Sequence, residues 1–371
     1  MNLSVDFMGL KLKNPVIVAA GPWTGNGEMI RKAIEAGAGA VVTETIVNEI
    51  RRNPRPQLAS KDKGVHNIRL YSEIELEEWE DEIAIAKSAG GVVIANILAH
   101  TPSEMAYIAS MLERFGADAI EIGGACPHGE GIEVLAADPQ KNYEIARQVV
   151  NSVKIPVMVK LSPSVTNMAK LARAIEKSGA SAISAIDTIR SILGVDIGTQ
   201  KPLLPSYGGY SGAPIRPIGL AAVATIAQAT GLQVCGIGGV ESYENVLEYI
   251  MLGASVVQMG TAVMLNGFGH IGKVLSELET WLEANGIRSI DDVRGKALSS
   301  LKSIEEIEIE PLVASLQKSC VREDCGYCIS SCIYRAVSRQ KGNIVIDREA
   351  CMGCGLCMTR CPDRNFKLLW E

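Results

Sequence analysis

The sequence predicts a (β/α)8 barrel followed by a small α+β ferredoxin-like domain that holds two [4Fe–4S] clusters. Two observations support this fold class. Short apolar runs alternate with amphipathic helical stretches from residue 14 to about 262, and cysteines are concentrated after residue 317. Buried parallel strands have continuous apolar sequences and are joined by helices, so the alternation indicates a parallel sheet. We therefore divide the chain into a barrel with C-terminal helices at 1–316 and a ferredoxin-like domain at 317–371.

Eight apolar runs provide the predicted barrel strands: Pro15–Ala20, Ala40–Ile46, Val92–Leu98, Ala119–Ile122, Pro156–Leu161, Ala182–Ile186, Leu232–Ile237 and Val256–Met259. Several helices end in glycine just before the next strand, as in GAGAVV, GADAIE, GASAIS and GASVVQ. This repetition favours a barrel over a doubly wound sheet, which would carry GxGxxG after the first strand. After the barrel, Gly269–Asn285 and Ile290–Leu301 predict helices, and Ile304–Pro311 predicts an acidic connector.

Composition narrows the class of protein. The chain has 371 residues, 47% of them hydrophobic, and a formal net charge of -6. Because no stretch of about 18 apolar residues occurs, we expect no membrane span. The acidic balance and the 5% aromatic content argue against nucleic acid as a partner. With no apolar targeting segment at the N-terminus, we expect a cytoplasmic protein with a small-molecule substrate.

Two cysteine runs predict the iron–sulfur clusters. They are Cys320-x4-Cys325-x2-Cys328-x3-Cys332 and Cys351-x2-Cys354-x2-Cys357-x3-Cys361-Pro362. In the second spacing, three thiolates surround one cubane and the fourth binds the other cluster. Zinc ribbons favour separate Cys-x2-Cys pairs, and disulfides need an oxidising compartment, so both alternatives are weaker. The first run departs from the common spacing after Cys320 and has Ile333 where the second has Pro362.

The ends of the last two predicted strands indicate a phosphate site. Barrel enzymes build their sites from the C-terminal strand ends, and the loops after strands 7 and 8 often bind phosphate. Here those ends read Gly238-Gly239 and Gly260-Thr261, after an earlier glycine-rich stretch at Tyr207–Gly212. The alternative is a pair of ordinary tight turns. A phosphate site beside iron–sulfur clusters points to flavin mononucleotide (FMN), which converts hydride chemistry into single-electron steps.

The other strand ends add candidate residues. Ala20 and Gly21 after the first strand would let a flat ring approach the backbone. Lys160 at the end of strand 5 would stabilise the reduced flavin ring or, alternatively, form a salt bridge at the barrel mouth. Cys126 and His128 lie on a glycine-flanked turn after strand 4, where an acid/base role competes with that of a buried structural cysteine.

Four stretches carry a resemblance to a known family. YGGYSGAPIRPIGL at 207–220, ACPHG at 125–129, VKLSP at 159–163 and GIGG at 236–239 resemble the FMN barrel of dihydropyrimidine dehydrogenases. The related dihydroorotate dehydrogenases share this barrel, but the Cys-Pro-His-Gly turn and the iron–sulfur tail favour the former family. The resemblance extends from Leu10 to Trp370.

The resemblance implies roles for individual residues. Cys126 would be the general acid that exchanges the C5 proton while hydride moves between C6 and flavin N5, with His128 beside it in the catalytic turn. Asn67, Asp187 and Thr188 would contact the pyrimidine. The residues expected to bind FMN are Ala20, Gly21, Glu44, Asn96, Lys160, Ser211, Gly212, Gly238, Gly239, Gly260 and Thr261.

Three residues depart from the family pattern. Glu44 stands where the family has a flavin-contacting Lys, and Gly123 and Asp187 each stand in place of an Asn. An ionised Asp only accepts hydrogen bonds, whereas Asn also donates. Because each lost partner costs about 1–3 kcal/mol, we expect uracil to bind poorly. Glu44 and Asp187 are also expected to make the pocket acidic, while Gly123 is expected to open space.

The sequence thus predicts an FMN- and iron–sulfur-dependent oxidoreductase of the dihydropyrimidine dehydrogenase type, acting on a CH–CH or C=C bond next to a carbonyl or ring amide. One alternative is a dihydroorotate dehydrogenase whose electrons leave through the clusters, although the sequence shows no clear cation for the substrate carboxylate. Another is an electron-transfer subunit with an altered barrel. The resemblance implies a separate electron partner, either a ferredoxin or a subunit that binds FAD and NAD(P), and assembly as a homo-oligomer or hetero-complex.

Overall fold

The computed structural model describes residues 2–123, 137–307, 312–322 and 324–367. The chain divides into two compact units, Met1–Leu301 and Lys302–Glu371. This division comes before the connector at 304–311, whereas the sequence-based boundary at 316/317 comes after it. Among the described residues, no helix has both the length and the apolar character needed to cross a membrane.

The first unit contains a closed barrel of eight parallel strands, which confirms the predicted fold class. The barrel strands are Val16–Val18, Ala40–Val42, Val92–Ile97, Ala119–Ile122, Val157–Leu161, Ala182–Ala185, Gln233–Ile237 and Val256–Met259. They pair in chain order, and the last strand pairs with the first, with Val257 opposite Val16. Each lies within one of the eight predicted runs, because strands buried on both faces are apolar throughout.

Helices connect the strands and continue beyond the barrel. They are Gly27–Glu35, Trp79–Lys87, Pro102–Arg114, Pro139–Ser152, Met168–Ser178, Arg216–Ala229, Tyr243–Met251, Thr261–Asn266 and Gly269–Ala284. Side-chain caps define several starts: the Asn26 side chain accepts from Met29 N at 2.9 Å, and Asn167 accepts from Lys170 N at 2.9 Å. The helix predicted at Ile290–Leu301 is absent from the described structure. Short 3-10 turns at Ile290–Val293 and Leu298–Ser300 replace it, because Gly295 between them has φ +71°.

A four-stranded antiparallel sheet adjoins the strand ends and was not predicted from the sequence. Its strands are Leu58–Lys61, Gly64–Asn67, Gly208–Gly212 and Ile189–Ser191. Two glycines make its close packing possible. A Cβ on Gly64 would lie 2.3 Å from the Tyr210 ring, and one on Gly209 would lie 2.1 Å from Thr188 Oγ1. The sheet therefore brings Asn67, Thr188 and Ser211 to the same end of the barrel. A separate hairpin, Val5–Phe7 with Leu10–Leu12, precedes the barrel.

The described part of the second unit has two strand pairs and two short helices. Strands Val337–Gln340 and Asn343–Ile346 form a hairpin, strands Ser315–Leu316 and Phe366–Lys367 pair antiparallel, and the helices are Tyr327–Ser330 and Leu356–Arg360. Each helix carries the third cysteine of one run, Cys328 or Cys357, and both of these are buried. The small apolar core of this unit includes Val337, Ile344 and Phe366.

Candidate active site

A cavity lies at the C-terminal ends of the barrel strands, which is where barrel enzymes build their active sites. The predicted site residues that line it are Ala20, Gly21, Asn67, Lys160, Asp187, Thr188, Ser211, Gly212, Gly238, Gly239, Gly260 and Thr261. The barrel thus brings together residues that are distant in the sequence.

One part of the cavity is a glycine-rich cradle. Gly212, Gly238 and Gly239 have φ values of +100°, +123° and +66°. A Cβ on Gly239 would lie 2.8 Å from the Gly212 carbonyl oxygen, so a larger residue would displace backbone. Thr261 Oγ1 donates to Ser211 Oγ at 2.8 Å and ties two of the loops together. Glycine loops with hydroxyl groups beside them are typical of phosphate sites.

Lys63 also lines the cavity, and the sequence analysis missed it. Lys63 lies in the turn of the hairpin formed by Leu58–Lys61 and Gly64–Asn67, and its φ is +64°. Its backbone carbonyl oxygen is 3.0 Å from the position of a Cβ on Gly212, so this turn packs against the cradle. Only the pairing of the hairpin with Gly208–Gly212 places this cation beside the glycines.

A buried polar network lies among the barrel strands. Glu121 is fully buried, and its carboxylate accepts hydrogen bonds from Asn96 Nδ2 at 2.7 Å, Ser184 Oγ at 2.8 Å and Gln258 Nε2 at 2.8 Å. The Lys160 ammonium lies 3.8 Å from Glu121 Oε1. Lys160 therefore both lines the cavity and forms the ion pair that was its alternative interpretation. Asn96 does not belong to the cavity lining and instead donates to Glu121.

Glu44 is also outside the cavity lining, because Arg69 engages its carboxylate. Arg69 Nε contacts Glu44 Oε1, and Nη2 donates to Oε2 at 2.7 Å. Arg69 Nη1 donates to Gln57 Oε1 at 3.1 Å. Hydrogen bonding to Glu44 raises the pKa of Arg69 above its usual value. The expected acidity from Glu44 is thus neutralised by an arginine that the sequence analysis did not connect with it.

Gly123 does not leave the open space expected from its lack of a side chain. A Cβ at this position would lie 2.6 Å from Asn96 Oδ1, so Asn96 already occupies that space. Asp187 does line the cavity, and its Oδ1 accepts from Thr188 N at 2.6 Å. Cys126 and His128 lie outside the described residues.

Two cavities in the second unit are each lined by four cysteines. The first is lined by Cys320, Cys325, Cys328 and Cys361, and the second by Cys332, Cys351, Cys354 and Cys357. The fourth cysteine of each run thus joins the first three of the other run. This exchange is the arrangement that the spacing predicts for a pair of cubanes.

Several thiol sulfurs of this unit have backbone partners, and no disulfide joins any of the described cysteines. Backbone N–H groups donate to three of the thiol sulfurs: Ala336 N to Cys332 at 3.2 Å, Asn365 N to Cys361 at 3.3 Å and Ala314 N to Cys351 at 3.4 Å. Hydrogen bonds of this kind tune cluster reduction potentials.

Comparison with known families identifies both parts of the chain. The family model for dihydroorotate dehydrogenase matches residues 2–282, and that for a 4Fe-4S binding domain matches residues 344–365. This chain belongs to the dihydroorotate dehydrogenase family. It is therefore an oxidoreductase of the class that acts on CH–CH groups, as the sequence predicts. The 4Fe-4S match covers the second cysteine run, whose spacing is the common one.

Similar proteins include catalytic subunits named dihydroorotate dehydrogenase B (NAD(+)). The chain is 35% identical to that of Thermoplasma volcanium over 301 residues, which cover 80% of this chain and 99% of the relative. It is 36% identical to that of Pyrococcus horikoshii over 299 residues, covering 80% and 98%. It is also 36% identical to that of Caldicellulosiruptor saccharolyticus over 300 residues, covering 80% and 99%. These relatives favour the dihydroorotate alternative over the dihydropyrimidine dehydrogenase resemblance.

Proposed function

We propose that this chain is an FMN- and iron–sulfur-dependent oxidoreductase that interconverts a CH–CH bond and a C=C bond next to a carbonyl. When bound, FMN would supply hydride transfer, and the clusters would carry single electrons. The observation that supports this most directly is the single cavity in which the glycine cradle, Lys160 and the pocket residues Asn67, Asp187 and Thr188 meet.

The residues present fit FMN. Gly212, Gly238 and Gly239 would hold the phosphate, because their backbone conformations leave no room for side chains where the loops converge. Lys63 and Lys160 supply two positive charges in the cavity lining. A dianionic phosphate and a reduced flavin ring are both stabilised by nearby cations.

The fit of two [4Fe–4S] clusters rests on the cysteine sets. Cys320 lines the first cavity despite its irregular spacing, so each cavity has four thiols. We assign one cubane to each set, with Cys361 and Cys332 as the ligands exchanged between the two runs. In this proposal the electron carriers would belong to the same chain as the catalytic barrel.

Dihydroorotate is the first candidate substrate because the similar catalytic subunits bear its name. Its carboxylate needs a cation, and the cavity provides Lys63 and Lys160. An uncharged dihydropyrimidine is the second candidate, and a specific observation favours it. The Asp187 carboxylate lines the cavity and would repel an anionic substrate, whereas Glu121 already balances part of the Lys160 charge.

The acid/base role is proposed for Cys126, with His128 on the same turn. Steady-state assays with dihydroorotate and dihydrouracil and an artificial electron acceptor test both parts of the proposal. Cys126→Ser should lower turnover by a factor of about 10²–10⁴ while flavin stays bound. Undiminished turnover would exclude the acid/base role of Cys126.

Asp187→Asn separates the two substrates. The variant should lower KM for dihydroorotate more than KM for dihydrouracil, because it removes charge repulsion only for the anion. It is a cleaner test than a double change with Gly123→Asn, since a side chain at 123 would collide with Asn96. An equal effect on both substrates would show that Asp187 does not face the carboxylate.

We also propose a separate electron partner. The relatives are named as catalytic subunits of an NAD(+) enzyme, which suggests a second subunit linked to NAD in their case. In this chain the partner would be such a subunit or a ferredoxin, and it would exchange electrons with the clusters. Anaerobic reduction of the clusters by reduced ferredoxin would identify a ferredoxin as the partner. Light scattering would establish whether the chain also forms a homo-oligomer.

A further inference from the structure

Glu121 occupies an unusual position for a carboxylate. It lies in the fourth barrel strand, is completely buried and does not line the cavity. Its partners come from four other strands: Asn96, Lys160, Ser184 and Gln258. A buried carboxylate is costly unless it is paired and hydrogen-bonded, and these donors meet that condition.

The carboxylate determines how two neighbouring amides are oriented. An ionised Glu only accepts hydrogen bonds, so the NH2 ends of Asn96 and Gln258 turn toward it. Their carbonyl oxygens therefore point away from Glu121. Both Asn96 Oδ1 and Gln258 Oε1 are buried, and neither has a hydrogen-bond partner among the described residues.

An orphaned buried acceptor such as Gln258 Oε1 indicates a missing donor. Leaving a buried acceptor unpaired costs about 1–3 kcal/mol, and buried polar groups in native structures nearly always have partners. Asn96 Oδ1 lies close to Gly123, but Gln258 belongs to the lining of the main cavity, as Lys160 does. A ligand in this cavity can therefore satisfy Gln258 if it presents an N–H group.

We propose that Glu121 is a positioning residue of the flavin site, which turns the Gln258 carbonyl into an acceptor for the imide N–H of the flavin ring and balances the charge of Lys160. This inference rests on the proposed FMN site. The imide N3–H is the N–H donor of the oxidised ring. Because the Gln258 NH2 group donates to Glu121, the amide cannot rotate its oxygen away from the cavity without breaking that hydrogen bond. Glu121 thereby acts on the flavin through Gln258 and Lys160 without contacting the cavity itself.

The charge of Glu121 has a second consequence. Its carboxylate lies 3.8 Å from the Lys160 ammonium and offsets part of that positive charge. Lys160 lines the cavity and would stabilise an anionic reduced ring. Neutralising Glu121 removes a negative charge that offsets part of the Lys160 charge, so the flavin should become easier to reduce.

Flavin binding to the full-length protein tests this inference without any substrate. FMN and its N3-methyl analogue are titrated into flavin-free wild type, Glu121→Gln, Gln258→Met and Ser184→Ala, with flavin fluorescence as the readout. Wild type should prefer FMN over the methylated analogue by about tenfold or more, because methylation removes the donor. Both Glu121→Gln and Gln258→Met should lose most of this preference. Ser184→Ala removes one neutral donor from the same carboxylate and should retain it.

The flavin midpoint potential distinguishes the two actions of Glu121. In anaerobic spectroelectrochemistry, Glu121→Gln should raise the flavin midpoint potential. Gln258→Met should raise this potential less, because the Glu121 carboxylate remains beside Lys160. If Glu121→Gln does not fold, Gln258→Met still tests the hydrogen bond. Wild-type preference and potential in both variants would overturn the inference, whereas failure of wild type to bind either flavin would contradict the proposed FMN site itself.

Discussion

The ion pair between Arg69 and Glu44 makes a quantitative test of the barrel mouth possible. The Glu44 side chain is 5% exposed and that of Arg69 is 17% exposed, and two guanidinium nitrogens engage the carboxylate. Arg69→Ala leaves a buried carboxylate without its cation, which typically costs about 3–5 kcal/mol of folding free energy. Replacing both residues, with Glu44→Leu and Arg69→Met, removes the charge together with its partner. The double variant should therefore lie close to wild type in stability.

Urea titration followed by the fluorescence of released flavin measures unfolding of the barrel unit separately from the cluster unit. Lys11→Ala is the matched control, because it breaks an ion pair with Asp6 whose side chains are 83% and 48% exposed. Such exposed pairs contribute little to stability. If Arg69→Ala is no more destabilising than Lys11→Ala, the pair is not a buried charge pair. If the double variant is as unstable as the single one, packing and not charge accounts for the loss.

Three further predictions concern the cofactor sites. Gly239→Ala should weaken FMN binding by about tenfold, as measured by fluorescence titration. A left-handed backbone costs a residue with a side chain roughly 1–2 kcal/mol, and the added Cβ would lie 2.8 Å from a carbonyl oxygen. Unchanged affinity would mean that this glycine is outside the phosphate cradle. Cys361→Ser should eliminate the cluster held by the first run, and Cys332→Ser should eliminate the cluster held by the second run. Each variant should therefore keep one EPR signal. Loss of the same signal in both variants would contradict the proposed exchange of Cys361 and Cys332 between the runs. Arg322 and Asp363 form an ion pair at 2.7 and 2.8 Å in the lining of the cavity that contains Cys361. Arg322→Gln should therefore lower the reduction potential of that cluster, and Asp363→Asn should raise it. Equal shifts in one direction would refute this electrostatic interpretation.

Features that depend on local pattern could be predicted from the sequence. The eight barrel strands are continuous apolar runs, so their burial on both faces is visible in the sequence alone. The spacing of the cysteines is also a local pattern. The three residues between Cys357 and Cys361 predict that Cys361 joins the cysteines of the other run, and it lines their cavity. Strand ends such as Gly239 were found because a barrel places all of them on one face.

Features that depend on distant pairs could not be predicted. Glu121 stands alone in an apolar strand, and its donors Asn96, Ser184 and Gln258 are 25, 63 and 137 residues away. Lys63 reaches the cavity only through the pairing of two antiparallel strands that are too short to show an alternating pattern. A charged residue inside an apolar run was a usable signal for Glu121, but its partners follow only from the closed barrel.

Anaerobic titration of the purified protein with dihydroorotate, and in parallel with dihydrouracil, tests the central claim most directly. Flavin absorbance and the EPR signals of the clusters are recorded together. The proposed function predicts that one of these compounds bleaches the flavin and that reduced clusters then appear in the same chain. A protein that contains flavin and clusters but responds to neither compound would contradict the proposed substrates, and bleaching without cluster reduction would contradict the electron route.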